Sequence, residues 1–237
     1  MKIKNLLWGI LFFGSSLFAQ ERLPKFNSKI DDLDSTEFKA LSYPCHIKYP
    51  EYKYGYNLTG IYELYAKGQM GKGNEKIKIH LSDTGMPTDT SFVGKIHPDF
   101  KDAKIKKGKN YVEESLSYIP YFDSIDVDLH GHATHILGIL NDINRTDTIY
   151  TDKIMSWIGR GKWNWLVKNL EDITNQALID KDIHIVNLSL GGYPWKPLEK
   201  QLAYMDSLNK NNLAKILLVC AAGIEDSECV LWPAMYG

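Results

Sequence analysis

From residue 77 to residue 222 the chain alternates short apolar strand patterns with longer stretches of helical spacing, and this alternation sets the fold class. Ile77, Ile79 and Leu81 recur at every second position, the period of a β-strand, and Asp83-Thr84-Gly85 stops the pattern. Residues 149–158 contain a second strand candidate. Trp163, Leu166, Val167, Leu170, Ile173, Ala177 and Leu178 then follow helical spacing. A short strand is expected at 183–188, a helix at 198–208 and a strand at 216–222. That last segment is a continuous apolar run, as a parallel strand covered on both faces requires. Strands separated by helices at this spacing predict βαβ units: an α/β fold with a mostly parallel central sheet and helices on both faces. A further short helix is expected at 61–66, ahead of a Gly-rich turn at 68–73. With 44% hydrophobic residues in 237, the chain can bury a sizeable core.

The amino-terminal segment has a different composition. Lys2 and Lys4 precede an apolar run from Leu6 to Phe13, and small residues follow up to Ala19. That is the layout of a secretory signal peptide, and the run falls short of the roughly 20 residues of a membrane span. Residues 1–19 are therefore expected to be removed, leaving a secreted, periplasmic or cell-surface protein with no membrane partner. Residues 20–55 contain Pro24, Pro44 and Pro50 as breakers and read as a leader or wrapping arm. The net charge is −1, with no basic stripe, so no nucleic-acid partner is expected. Three cysteines, Cys45, Cys220 and Cys229, leave at least one outside any intrachain pair, and Cys220 reads as a small buried hydrophobe.

In a parallel sheet, chemistry gathers beyond the carboxyl ends of the strands. Three segments there carry it. Asp83-Thr84-Gly85 places a carboxylate at a strand end. The tripeptide also matches aspartic proteases, which need two such carboxylates on an all-β scaffold; one copy on an α/β pattern does not fit. The second segment, Asp128-Leu129-His130-Gly131-His132-Ala133-Thr134-His135, holds three histidines in six residues. Its spacing admits a zinc hydrolase site built on His130, His132 and His135. That motif wants Asp where Thr134 stands, and it needs ligands further along. The remaining later histidine, His184, lies in an apolar strand and reads as a core or edge residue. The third segment, Asn187-Leu188-Ser189-Leu190-Gly191-Gly192, is a strand running into a Gly turn. Asp123 and Asp126 read as solvated acids.

Taken in order, these segments resemble the subtilisin-like serine proteases. Gly131-His132-Ala133-Thr134-His135-Ile136-Leu137-Gly138 follows that family's Gly-His-Gly-Thr-His-Val-Ala-Gly, and Asp128 fits its Asp-x-x-Gly lead-in. Gly71-Lys72-Gly73 resembles the approach to the first catalytic strand. Val219-Cys220-Ala221-Ala222-Gly223 and Trp232-Pro233-Ala234 resemble a later strand and its Tyr-Pro-Ala turn. The resemblance covers residues 58–237, within an incomplete peptidase domain taken as 56–237. It implies a secreted endopeptidase with His132 as general base and Asp83 as the carboxylate that orients it. It further implies that Ser189, Leu190 and Gly191 bind an extended polypeptide substrate by strand addition. No cofactor is required. Structural calcium occurs in the family, but no run here has the dense oxygen spacing of a calcium loop.

The chain departs from the family pattern at three points. No Gly-Thr-Ser-Met-Ala segment, which carries the nucleophile, occurs up to Gly237, and Ser189 belongs to the cleft-lining strand instead. The expectation is an enzyme read only as far as its Asp and His, inactive alone. Ile224 stands where the family's oxyanion Asn belongs, and Ala133 replaces a Gly beside the base. These departures leave a second expectation open, a noncatalytic peptide-binding relative or an inactive gene fragment.

Overall fold

The computed structural model describes residues 59–68, 76–88, 96–97, 100–113, 120–143, 147–192, 194–222 and 233–236. The segments expected to be a signal peptide and an arm, with Gly71–Gly73, Ile224, Cys45 and Cys229, lie outside the described residues.

Five strands form one sheet: β1 Ile77–Asp83, β2 Ile105–Asn110, β3 Thr148–Lys153, β4 Ile183–Leu188 and β5 Lys215–Cys220. Their order is β2-β3-β1-β4-β5, and every pairing is parallel. The helices are α1 Ile61–Ala66, α2 Pro120–Ser124, α3 His132–Ile143, α4 Trp163–Asp180 and α5 Lys196–Lys210, with a 3₁₀ turn at Ala234–Tyr236. No helix among the described residues is long and apolar enough to cross a membrane.

Alternation along β1 sends its residues to two different layers. Ile79 and Leu81 pack with Phe100, Ile149 and the Ala133, Ile136 and Leu137 stripe of α3. The opposite face of the sheet meets α4 and α5, where Val186, Leu188 and Ile216 pack with Trp165, Leu170, Leu198 and Leu202. The i, i+3, i+4 spacing read from 163–178 is the stripe of α4 buried there: Leu166, Leu170, Ile173 and Ala177 are all covered. A fully buried Leu such as Leu170 contributes about 1.5–3 kcal/mol to such a core.

One strand escapes the periodicity argument. β2 has Lys at positions 106, 107 and 109 and no apolar alternation, because it forms one margin of the described sheet. Lysines blunt such a margin against strand addition by other chains. The strand within 149–158 runs over Thr148–Lys153, and the one at 216–222 over Lys215–Cys220.

The topology fixes where chemistry can occur. The chain builds β1, β2 and β3 on one side, then crosses through α4 to β4 on the other side of β1. The carboxyl ends of β1, β3 and β4 therefore flank a switch point, which opens a crevice in a parallel sheet.

Candidate active site

Asp83 ends β1 and is fully buried. A bare carboxylate there would be costly, and two donors meet that cost in part. The Thr84 N–H reaches Oδ1 at 2.7 Å. His132 Nδ1 lies 2.7 Å from Oδ1 and 2.9 Å from Oδ2. A carboxylate only accepts, so the imidazole proton sits on Nδ1 and Nε2 keeps its lone pair. The hydrogen bond that His132 donates to Asp83 raises the His132 pKa, burial opposes this, and the charges of Asp83 and Asp128 add to the rise.

The two residues are 49 apart in sequence, and a small polar scaffold brings them together. His132 is the first residue of α3, whose initial N–H groups have no helical partner. Asp128 supplies one. Its Oδ1 accepts the N–H of His130 at 3.1 Å and of Gly131 at 2.8 Å; its Oδ2 accepts the N–H and the hydroxyl of Thr134, both at 2.7 Å. Thr84 joins this cap to β1. Its hydroxyl donates to Asp128 Oδ1 at 2.7 Å and accepts the Ala133 N–H at 3.1 Å. Asp83 and Thr84 thus grip the start of α3 from one strand end.

The segment carrying Asp128 is itself anchored twice. Met86 donates its N–H to Asp126 O at 2.7 Å and accepts from Asp128 N at 2.8 Å. Gly85 makes that approach with φ +128°, and a Cβ there would stand 2.6 Å from Asp126 O. Only glycine fits. From the neighbouring strand, Lys153 extends a fully buried side chain whose ammonium donates to Phe122 O at 3.1 Å and Ile125 O at 2.6 Å. Burial lowers its pKa, and Asp123, Asp126 and Asp128 counter that.

Asp123, read from the sequence as solvated, is buried instead and accepts the Trp157 N–H at 3.0 Å. Two buried charges of opposite sign, Lys153 and Asp123, explain how an acid in a polar-looking loop becomes internal. Asp126 is only partly covered and pairs with Lys107 at 2.5 Å.

Beside His132 opens a cleft of about 500 Å³. Ser189, Leu190 and Gly191 line it from the end of β4, and Asn187 holds the Ser189 hydroxyl at 3.0 Å. The opposite wall is Gly159–Lys162, the loop between β3 and α4. Sequence reading passed over this wall, although two glycines just beyond the carboxyl end of a strand were the available signal. It also underrated Thr84 and Asp128. Ile224 is outside the described residues.

Ala133 carries no conformational penalty. It is a buried helical residue, and among the described residues the non-glycine positions with positive φ are Lys181 and Asn212. The histidine triplet does not converge. His130 meets His132 edge to face at 6.2 Å, and no group of three or more His, Cys, Asp or Glu among the described residues forms a metal-holding cluster. His184 is fully buried, bonded to His80 at 3.0 Å and to Asp180 at 3.1 Å.

A buried carboxylate thus stands behind a histidine at the switch point of a parallel sheet, beside a strand-edged cleft. Residues 74–237 match the model of the Subtilase family, and the chain belongs to that family. It is 26% identical over 192 residues to a thermostable alkaline protease of Halalkalibacterium halodurans, covering 77% of this chain and 44% of that protein. It is 24% identical over 196 residues to subtilisin DY of Bacillus licheniformis, covering 77% of this chain and 60% of the relative. The chain thus spans about half the length of these relatives. Among solved structures it resembles Sphericase, with a TM-score of 0.55, 20% identity, and coverage of 74% of this chain and 56% of that one. A cold adapted subtilisin-like serine proteinase gives a TM-score of 0.50 at 17% identity, over 68% of this chain and 52% of that one. Both structures share the fold.

Proposed function

We propose that this chain carries the acid–base half of an exported serine endopeptidase. His132 Nε2 takes the proton of a serine hydroxyl as that oxygen attacks the scissile carbonyl, and later delivers it to the leaving amine. Asp83 holds the ring in the required tautomer and stabilises the imidazolium. Ser189, Leu190 and Gly191 pair with the substrate backbone. The serine belongs to sequence that the 237 residues do not contain, and residues 1–19 direct export. The observation that carries this reading is the Asp83–His132 hydrogen bond at 2.7 Å, opening onto the same cleft as Ser189–Gly191.

The test is to read the source gene past the codon for Gly237 and express the whole reading frame. A fluorophosphonate should label one serine, and Asp83→Asn should lower peptide turnover by about 10⁴-fold. Labelling indifferent to His132→Ala would contradict the assignment. Ile224 favours a second reading, because a branched apolar side chain offers no donor to an oxyanion. On that reading the chain binds extended peptides without cutting them. A reading frame that stops at Gly237, with peptides bound and recovered intact, would select it. If the frame continues to a serine, Ile224→Asn should raise turnover by about 10²–10³-fold.

A further inference from the structure

The cleft has a charge asymmetry that the whole chain lacks. The net charge of the protein is −1, yet the described residues lining the cleft include Arg160 and Lys162 and no Asp or Glu. Beneath these cations lies an apolar floor that includes Met155, Trp163, Leu166 and Leu190.

Arg160 closes a fixed turn. The Gly159 N–H bonds to Ser156 O at 2.9 Å, and Ser156 returns its N–H to Arg160 O at 2.8 Å. Ser156 is fully buried, so the turn is rooted in the core. Gly159 has φ +73°, and a Cβ there would strike His130 Nε2 at 2.6 Å. The arginine is thereby presented at the rim, with its residue exposed. Lys162 follows two residues later, its ammonium 5.8 Å from the Trp165 ring.

Lys162 also breaks a local rule. It stands at the N-cap of α4 with no side-chain capping bond and no acid in the first turn. A cation is disfavoured at the positive end of a helix.

We infer that the cleft selects polypeptides with an acidic side chain one or two positions from a bulky apolar one. The apolar side chain fills the Met155–Trp163–Leu190 floor, and the carboxylate lies against Arg160 and Lys162. This inference rests on the peptide-binding reading of the cleft. A rim charge of this kind acts on encounter and discrimination more than on total affinity, and it is sensitive to salt.

The test uses the full chain and two eight-residue peptides with a neutral fluorophore, identical except for Glu or Lys beside a central Leu. Anisotropy should show the Glu peptide binding about fivefold tighter or more in about 20 mM salt, a preference that fades in about 500 mM salt. Arg160→Glu/Lys162→Glu should reverse the order. Lys101→Glu/Lys200→Glu, the same charge change on exposed residues outside the cleft, should preserve it. Equal binding of both peptides, or a preference unmoved by salt, overturns the charge selection and leaves peptide binding standing. Failure of both peptides to bind overturns the peptide-binding reading and this inference with it.

Discussion

At the scale of single residues, Asp128 does more than its place in a loop suggests. Both carboxylate oxygens are spent on the first turn of α3 and on Thr84, so the side chain sets where His132 begins its helix. Removing it leaves the Gly131 and Thr134 N–H groups without that acceptor. Asp128→Ala should cost about 1–2 kcal/mol in urea unfolding, the upper range for a lost helix cap, while Asp128→Asn, which keeps one acceptor oxygen, should cost less. The same Asp128→Ala change should move the His132 pKa downward, because the Asp128 charge contributes to its rise. An unfolding midpoint indistinguishable from the unmodified chain would show that water satisfies those donors as well as the carboxylate does. Asp128 was visible in the sequence only as part of a motif. Of its five side-chain hydrogen bonds, four are local and one is with Thr84, 44 residues away, a contact that no local pattern encodes.

At the scale of elements, legibility followed burial. β1, β4 and β5 were readable because each places apolar side chains in a core, which leaves period 2 or a continuous apolar run. α4 and α5 were readable from their buried stripes. β2 and α2 were not: one is a Lys-rich margin strand and the other a five-residue turn of helix. The end of α4 also lacks its usual signal. Its C-cap is Lys181 at φ 60°, where glycine would be expected. Lys181→Gly should therefore raise stability by about 0.5–1 kcal/mol, read from the thermal midpoint. A fall would mean that the Lys181 bond to Leu213 O outweighs the backbone strain.

Between β1 and β4 lies a polar chain that periodicity does not reveal. His80 stacks on Tyr150 and His184 and approaches Asp152 at 3.6 Å; His184 bonds to Asp180, and Lys78 pairs with Asp180 and with Asp182. Burial lowers the His184 pKa, helped by the charges of His80 and Lys78 and opposed by Asp180. The folded chain therefore binds this proton less readily than the unfolded chain. Stability is unaffected by this group above about 6.5, and falls as pH drops below that value. Asp180 responds lower down. Burial works against its charge, yet Lys78, the Asp182 N–H and His184 hold it to about 2, so its contribution fades between 3.8 and 2. Because the raised His132 works in the opposite sense over the same range, the His184 contribution is read by difference: between about pH 7.5 and pH 5 the denaturation midpoint of the unmodified chain should fall relative to that of His184→Gln. An unchanged pH slope in that variant would assign the acid sensitivity elsewhere.

At the scale of the molecule, the strand order places the candidate site. Because β1 lies between β3 and β4, the carboxyl ends of three strands meet at one crevice, and each contributes a part. β1 ends in Asp83, β3 leads to the Gly159–Lys162 wall, and β4 leads to Ser189–Gly191. The sequence showed the first and the last of these as separate strand-end motifs. Their convergence is a property of topology, which is why the β3 wall was overlooked while its two partners were found.

The central claim is that Asp83 and His132 act as one unit. Histidine ring NMR of the ¹⁵N-labelled chain across pH, with and without Asp83→Asn, tests it most directly. The account predicts a neutral His132 protonated on Nδ1, with a pKa above 6.5 that falls when Asp83 loses its charge. Since the folded value is raised, this pair stabilises the fold below about 6.5, and the contribution is lost as pH rises through the folded value. A His132 protonated on Nε2, with a pKa indifferent to Asp83→Asn, would contradict the account.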